Sequence, residues 1–246
     1  MSFGKGEAVA IVGQNGAGKT TTVKLMNGLL KPQEGNVIID GWNTKDYTTA
    51  QISRKAGYVF QNPDDQIFHS DVYSEIEFAP KRLGLSPEKI KENVMKAAEL
   101  AGVVPYLKEH PYNLPFSMRK FVTIASVLAM ESSVIILDEP TAGQDLLAMD
   151  RLGRIIRTLV AEGKTVITIT HDMEFVVNQF ERVIVMANRR KISEGNKRDI
   201  FWDFDVLEES MLKQPHISRV SRSLQLGEKV LSIDEMMNHL QQVNNW

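Results

Sequence analysis

The first twenty residues contain a glycine-rich pattern that fits a phosphate-binding loop. The segment Gly13–Thr20 reads GQNGAGKT, matches G-x-x-x-x-G-K-[ST], and lies between a predicted strand and a predicted helix. Glycines let backbone N–H groups turn around phosphate oxygens, and the start of a helix adds partial positive charge. Lys19 would reach the β- and γ-phosphates of a nucleotide, and the hydroxyl of Thr20 would ligate Mg²⁺. A plain glycine-rich turn is the alternative, and the flanking elements favour the phosphate loop. The residues predicted to bind ATP are Gly13, Gln14, Asn15, Gly16, Ala17, Gly18, Lys19, Thr20 and Thr21.

A second candidate site lies where an apolar strand ends in two carboxylates. The run Val134–Leu137 is followed directly by Asp138 and Glu139. The carboxyl ends of parallel strands face the ligand crevice of an open sheet. Asp138 is suited to hold Mg²⁺ through water, and Glu139 is placed to orient or deprotonate an attacking water. The alternative is a solvated acidic strand end, and the phosphate loop elsewhere in the chain favours the catalytic interpretation.

These residues need a scaffold of buried strands alternating with helices, and the sequence predicts one. Short runs rich in Val, Ile and Leu alternate with longer amphipathic patterns, which is typical of an α/β fold with a mostly parallel sheet. The predicted strands are Glu7–Val12, Gly57–Phe60, Val134–Leu137, Thr165–Thr170 and Arg182–Met186, with smaller strand elements at Val37–Asp40 and in a hairpin over Val183–Gly195. The predicted helices are Lys19–Leu30, Pro87–Leu100, Met118–Met130, Leu146–Ala161 and Met173–Phe180.

The alternation of strands and helices is interrupted twice along the chain. Residues 71–114 hold two helical patterns with no strand between them, which predicts a helical insertion. After Gly195 the chain holds only short amphipathic patterns, predicted at Arg198–Leu212, Ile217–Leu224 and Ile233–Val243 and broken at Pro215 and Gly227. We therefore predict one domain over residues 1–196, with a helical subdomain at about 71–130, and a C-terminal helical extension over 197–246.

Composition excludes several classes of protein. The 246 residues include 29 Lys and Arg against 31 Asp and Glu, and the formal net charge of −2 argues against a nucleic-acid binder that relies on bulk positive charge. The absence of cysteine excludes a disulfide scaffold and a cysteine-ligated zinc site. No apolar run approaches 18 residues, and the first residues lack the pattern of a signal peptide. The sequence predicts a soluble, cytoplasmic protein with no nucleic-acid partner.

The chain resembles the nucleotide-binding subunits of ABC transporters. Besides the two motifs above, Gln61 in VFQNPDDQIF matches the family's Q-loop, Thr141–Asp145 lies where the D-loop belongs, and His171 matches the H-loop. Within that family, the segments GYVFQNPDDQIF, EFAPKRLGLS and LKQPHISRVSRSL are similar to energy-coupling-factor ATPases. The resemblance implies Mg²⁺-dependent ATP hydrolysis, a second ATPase subunit, and integral membrane subunits that take up a vitamin or a metal ion. It also implies a peripheral location on the cytoplasmic face of the membrane.

The resemblance assigns roles to three residues outside the two motifs. The amide of Gln61 would contact Mg²⁺ and the attacking water, and its loop would sense the membrane subunit through a groove around residues 61–79. His171 would donate a hydrogen bond to the γ-phosphate, and Asp145 would meet the opposite subunit. A surface glutamine and a structural histidine are the alternatives. The other histidines singled out, His69, His110 and His216, are interpreted as surface residues.

The sequence departs from the family at the signature motif, usually LSGGQ. Residues 114–118 read LPFSM, so proline replaces the family's serine and Phe116 and Ser117 replace its glycines. Pro115 has no N–H and no hydroxyl with which to contact the ATP of the opposite subunit. We expect Ser117 to cap the helix and to lie at the dimer interface, and Arg119 or Lys120 to supply charge. Two interpretations stay open: a relaxed signature that still works, and an asymmetric dimer with a second ATPase.

A second departure is the start of the chain. Only twelve residues precede Gly13, and no aromatic residue is available to stack on adenine, since Phe3 is too close to the first strand. A start further upstream or a truncation is expected. Three other hypotheses remain: a subunit that binds ATP without hydrolysis, a defective remnant, and a soluble ABC ATPase outside transport, whose coiled-coil or basic insertions are missing here.

Overall fold

The computed structural model describes residues 1–226 and 229–244. It divides into two compact units, which we name the first unit (Met1–Glu7 and Thr20–Ile169) and the second unit (Ala8–Lys19 and Thr170–Trp246). The strands are β1 (Ala8–Val12), β2 (Ile38–Ile39), β3 (Trp42–Asn43), β4 (Ala56–Val59), β5 (Val134–Asp138), β6 (Thr165–Ile169), β7 (Arg182–Ala187) and β8 (Arg190–Asn196). The helices are α1 (Lys19–Met26), α2 (Thr49–Ile52), α3 (Val72–Arg82), α4 (Pro87–Ala101), α5 (Phe116–Leu128), α6 (Leu146–Ala161), α7 (Met173–Gln179), α8 (Lys197–Phe201), α9 (Phe204–Glu209), α10 (His216–Ser223) and α11 (Ile233–Asn244).

The first unit is built on three parallel strands in the order β4, β5, β6. Tyr58 pairs with Ile136, and Leu137 pairs with Thr168. Nearly every residue of the three strands is buried, which is why the run of Val, Ile and Leu in β5 reads as continuously apolar. The parallel pairing confirms the predicted strand type, and it brings the carboxyl ends of β4 and β5 to the same edge.

The second unit contains the other three main strands. β1 runs parallel to β7, with Val12 opposite Val185, and β7 forms an antiparallel hairpin with β8. The hairpin predicted over residues 183–195 is therefore confirmed. Since β1 leads directly into the glycine-rich loop, its four buried residues Val9–Val12 fix where that loop begins.

The segment predicted as a helical insertion contains α3 and α4 and no strand among its described residues. Asp71 caps α3 by accepting the N–H of Ser74, and Ser86 caps α4 by accepting the N–H of Lys89. Gly102 ends α4 with φ 70°, a left-handed conformation that glycine adopts without a Cβ clash. Both helices pack against α5.

The last part of the chain is helical, as predicted, but it is more broken than the pattern indicated. The predicted helix 198–212 is divided into α8 and α9, because Asp203 begins a new helix by accepting the N–H of Val206. The predicted break at Gly227 lies outside the described residues. The boundaries 1–196 and 197–246 remain predictions.

Several helix boundaries differ from the sequence expectation by one to four residues. The helix predicted over Lys19–Leu30 ends at Met26, because Asn27 uses its side chain to accept the N–H of Leu29 and Gly28 adopts φ 75°. α5 begins two residues before the predicted Met118. None of the described helices has both the length and the apolarity of a membrane span.

Candidate active site

The glycine-rich loop of the second unit follows β1 and leads into α1. A Cβ at Gly13, whose φ is +149°, would fall on the carbonyl oxygen of Met186, and one at Gly18 would lie 3.4 Å from the Cα of Arg189. Gly16 has φ +80° and faces open space. Gly13 therefore combines positive φ with a backbone approach that excludes a Cβ, whereas at Gly18 the positive φ of +94° alone favours glycine.

Lys19 folds back over this loop. Its ammonium donates to the carbonyl oxygens of Gly13 at 2.7 Å and Gln14 at 3.1 Å, and the residue is buried. Asn15 and Gly16, at the tip of the loop, are exposed, so the loop leaves its backbone open to solvent. A buried cation beside the N-terminus of a helix is an arrangement that can bind phosphate.

The carboxylate of Asp138 lies at the end of β5 in the first unit and is 1 % exposed. The hydroxyl of Tyr58 on β4 donates to its Oδ2 at 2.6 Å, and the hydroxyl of Thr20 donates to its Oδ1 at 3.4 Å. Burial, together with the hydrogen bond to Asp138 and its negative charge, raises the pKa of Tyr58 far above its ordinary value. Tyr58 therefore remains a neutral donor to Asp138, and Thr20 and Asp138 form an oxygen pair that could hold a divalent cation.

Glu139 leaves the strand in an unusual conformation. Its φ is 48°, in the left-handed region that a residue with a Cβ adopts only when its surroundings hold it there. Its N–H donates to the carbonyl oxygen of Ile169 at 2.9 Å, and its own carbonyl oxygen accepts the N–H of Ala142 at 3.4 Å. The residue is buried and follows Asp138 directly, as predicted.

Lys120 on α5 contributes a further cation that sequence reasoning did not place here. It is 1 % exposed, and its ammonium donates to the carbonyl oxygens of Glu139 at 2.5 Å and Ala142 at 3.3 Å. Burial lowers the pKa of Lys120 to about 8, opposed by the nearby charges of Glu139 and Asp138. Tyr58 lies in a buried strand that carries no local signal of a site, and Lys120 was expected to supply charge at the signature and not to bind the turn after β5.

A cleft of about 480 Å³ in the first unit brings several predicted residues together. Thr20, Gln61 and Asp138 line it, and Gln61 is exposed. The full lining is Thr20, Lys24, Tyr58, Phe60, Gln61, Asn62, Asp65, Phe116, Lys120, Asp138 and Ala142. Among the described residues, no group of three or more His, Asp or Glu side chains forms a metal cage.

The altered signature differs from the sequence expectation in its capping. Pro115 occupies the N-cap of α5 with no side-chain hydrogen bond, so the prediction that Ser117 caps this helix is wrong. Ser117 falls inside the first turn, where its hydroxyl is past the cap position. The helix begins earlier than expected because proline is compatible with a helix start, where its missing N–H is not needed.

The two cations expected to supply charge at the signature point elsewhere. Arg119 pairs with Asp64 at 2.7 Å and lies over the rings of Tyr112 and Phe116, at 5.4 and 5.7 Å from their centroids. Lys120 is turned inward, as described above. Both cations are thus engaged by groups of their own chain, and the expectation that Arg119 or Lys120 supplies charge to a partner remains a prediction.

The remaining predicted residues lie in separate parts of the chain, Asp145 and His171 in loops and Thr21 on α1. Asp145 is exposed and caps α6 by accepting the N–H of Ala148 at 2.8 Å. His171 is exposed and directly precedes Asp172, which caps α7. Thr21 is exposed on α1. The geometry thus places both loop residues where they are accessible.

His69 is not the plain surface residue that was expected. Its side chain is half-buried, and its Nδ1 lies 3.1 Å from the carboxylate of Glu75, which is itself 3 % exposed. The same carboxylate accepts the N–H groups of Phe68 and His69. This holds Phe68, 64 % exposed, at the rim of a groove of about 250 Å³ that Phe60 and Phe78 also line.

Comparison with known proteins gives the family. A family profile described as ABC transporter matches residues 1–142. A putative ABC transporter ATP-binding protein of Pyrococcus furiosus is 40 % identical over 96 % of this chain and 90 % of its own length. The energy-coupling factor transporter ATP-binding protein EcfA of Methanothermobacter thermautotrophicus is 38 % identical over 92 % of this chain and 74 % of its own length.

A solved structure gives the same result for the fold. CbiO1 of Clostridium perfringens, described as part of the ABC transporter complex CbiONQ, matches with a TM-score of 0.76 and 34 % identity over 90 % of each chain. The predicted α/β fold with a phosphate loop, a mostly parallel sheet and a helical subdomain is confirmed. The chain belongs to the ABC transporter family, as an ATP-binding subunit that hydrolyses ATP to drive transport.

Proposed function

We propose that this chain is the ATPase subunit of an uptake transporter of the energy-coupling-factor type, working with Mg²⁺. The observation that carries the proposal is the meeting of Thr20 and Asp138 in one cleft with Gln61. The similarity to EcfA and to CbiO1, together with the segment GYVFQNPDDQIF, supports the uptake class. The cargo would be a vitamin or a transition-metal ion.

In this proposal the chain's own residues divide the work of hydrolysis. The amides of the loop 13–18 and the ammonium of Lys19, which would exchange its carbonyl partners for phosphate, neutralise the charge of the nucleotide. Thr20 and Asp138 would hold Mg²⁺, which would supply further charge stabilisation when bound. Glu139 activates the attacking water.

Two exposed residues complete the proposed site. Gln61 would contact the metal and the water, and His171 would donate to the γ-phosphate. Both lie on loops that follow strands of the sheet, Gln61 after β4 and His171 after β6, a placement that suits a ligand crevice. They therefore report on the state of the nucleotide in this mechanism.

We further propose an asymmetric dimer with a second ATPase, in preference to a homodimer. Pro115 offers no N–H to a partner's ATP, while Arg119 and Lys120 are engaged inside the chain. Asp145 and Ser117 would lie at the interface. The chain's own phosphate loop and Glu139 are intact, so its ATP would be completed by the partner's signature.

Docking to integral membrane subunits is proposed at the groove around residues 61–79. Phe68 and Phe78 of this segment line the groove together with the preceding Phe60, and Phe68 is the most exposed of the three. The carboxylate of Glu75 fixes the backbone that presents Phe68. A preformed apolar anchor of this kind suits a short helix of a partner protein. The chain would then lie peripherally on the cytoplasmic face of the membrane, with residues 1–196 as the ATPase domain and 197–246 as its helical extension.

The proposal is tested by Mg-ATP hydrolysis at increasing protein concentration. The chain alone is compared with Glu139→Gln and with a variant whose residues 115–118 are restored to the family's SGGQ. We expect the restored variant to gain turnover by at least tenfold and Glu139→Gln to bind ATP without turnover. Equal turnover of the wild type and the restored variant, rising with concentration, would refute the asymmetric dimer.

A second candidate function, suggested by the altered signature alone, is a subunit that binds ATP as dimer glue without hydrolysis. Mixing the chain with a partner ATPase that carries an intact signature separates the two. If Glu139→Gln in this chain leaves the turnover of the mixture unchanged, the non-hydrolytic subunit is the correct description.

A further inference from the structure

Lys120 is a buried charge that neither the family assignment nor the proposed mechanism uses. It lies on α5, whose surrounding positions from Phe121 to Leu128 are all buried. A buried ammonium is costly unless hydrogen bonds compensate for its lost hydration. Here the compensation comes from two backbone carbonyl oxygens, those of Glu139 and Ala142.

The two carbonyl groups belong to the turn that holds the acidic residue after β5. The N–H of Ala142 also donates to the carbonyl oxygen of Glu139, so the turn closes on itself while Lys120 binds it from α5. In the preceding peptide group, the N–H of Glu139 donates to the carbonyl oxygen of Ile169. The peptide groups on both sides of the Glu139 Cα are therefore fixed.

This fixation matters because the conformation of Glu139 is not one that the residue adopts freely. A non-glycine residue at φ 48° is strained, and it keeps this conformation only where its neighbours hold it there. If the hydrogen bonds from Lys120 to this turn were lost, the backbone at Glu139 would relax toward the φ values that residues with a Cβ ordinarily adopt. The direction of the Glu139 side chain follows the backbone, so relaxation would move the carboxylate.

We propose that Lys120 is a positioning residue for ATP hydrolysis, which holds the turn 139–142 so that the Glu139 carboxylate faces the attacking water. The proposal rests on the function proposed above for Glu139. Lys120 touches neither nucleotide nor water in this role. Its ammonium acts through the two carbonyl oxygens, and the ring of Phe116, whose centroid lies 5.9 Å away, covers it.

The proposal predicts a specific pattern in Lys120→Met. A displacement of about 1 Å at a reacting group costs on the order of 10²-fold in rate. We expect kcat to fall 10- to 100-fold while the KM for ATP changes less than about twofold, since the phosphate loop is untouched. Lys120→Arg, which keeps the charge and the donors, should recover part of the lost kcat.

The matched control is Lys164→Met. Lys164 is another partly buried lysine whose ammonium donates to a backbone carbonyl, that of Ser132 at 3.3 Å, and whose pKa burial also lowers. It lies just before β6, away from the turn in sequence. Its removal controls for the loss of any lysine–carbonyl hydrogen bond, and we expect normal kcat.

Hydrogen exchange of the full chain gives a readout that does not need turnover. In Lys120→Met we expect faster exchange confined to a peptide covering 139–143, with exchange elsewhere unchanged. Unaltered exchange in that peptide, general loss of protection, or wild-type kcat would each overturn the proposal. The function proposed for Glu139 fails separately, if Glu139→Gln retains wild-type turnover.

Discussion

Replacing Tyr58 by phenylalanine removes one hydroxyl beside Asp138 and leaves the ring in place. That hydroxyl donates at 2.6 Å to a carboxylate that is 1 % exposed, so water cannot take its place freely. A hydrogen bond to a charged group contributes about 1.5–3 kcal/mol. We expect the free energy of unfolding to fall by about 2 kcal/mol, which in a chain of this size lowers the melting temperature by about 4–8 °C.

Urea and thermal denaturation measure this change, with Tyr112→Phe as the control. The hydroxyl of Tyr112 belongs to a half-exposed residue and lies 3.4 Å from the carbonyl oxygen of Asp64, so its loss should cost less than about 0.5 kcal/mol. A double-mutant cycle with Asp138→Asn isolates the pair and should give a coupling of at least about 1 kcal/mol. Equal stabilities of the two Phe variants, or a coupling near zero, would show that Tyr58 does not anchor Asp138.

Three further perturbations follow from the same structure. Gly13→Ala places a methyl group on the carbonyl oxygen of Met186 in a backbone conformation that alanine resists, so ATP binding measured by calorimetry should be lost; binding within twofold of wild type would contradict the close approach. The pKa of Lys120 is about 8 in the folded chain against 10.5 in the unfolded chain, so the unfolded chain binds more protons between these pH values and the stability that Lys120 contributes rises with pH. In urea titrations from pH 7.5 to 9.5, the free energy of unfolding of the wild type should rise by about 1–3 kcal/mol relative to that of Lys120→Met. Parallel changes in the two proteins would refute this pH dependence. Asp145→Ala removes the cap of α6, which accepts the N–H of Ala148, and should cost about 1 kcal/mol by denaturation, whereas Asp145→Asn should cost little; equal losses in both would assign the effect to charge instead.

The sequence predicted the parts of the site that depend on local pattern. The loop 13–20 carries its glycines at fixed spacing because backbone conformation is local, and Asp138 follows a continuous apolar run because β5 is buried on both faces. Tyr58 was missed, and Lys120 was given the wrong partner, for the opposite reason. Their partners are 80 and 19 positions away along the chain, so only the packing of β4 and α5 reveals the contacts.

The same reasoning explains why the altered signature could not be interpreted from sequence. From sequence alone, a proline and a phenylalanine at positions 115 and 116 indicate the loss of a binding motif. The cations that follow them appear in the sequence as replacements for the lost contacts to ATP. In the structure, Arg119 binds Asp64 and Lys120 binds the turn after β5, so both cations act inside their own chain. In the proposed asymmetric dimer, these two charges would therefore not replace the lost motif.

The start of α5 thus connects two loops of its own unit. Through Arg119 it holds the segment that follows Gln61, and through Lys120 it holds the backbone of Glu139. In a symmetric pair of such chains, each ATP would meet a signature without the N–H of residue 115 and without a free cation. In the proposed asymmetric pair, only the partner's ATP would meet that surface, while this chain's ATP would combine a braced Glu139 with an intact signature. Because an internally braced turn benefits only the site on the same chain, the altered residues 115–118 together with the inward-facing Lys120 support the proposed dimer with one hydrolytic site.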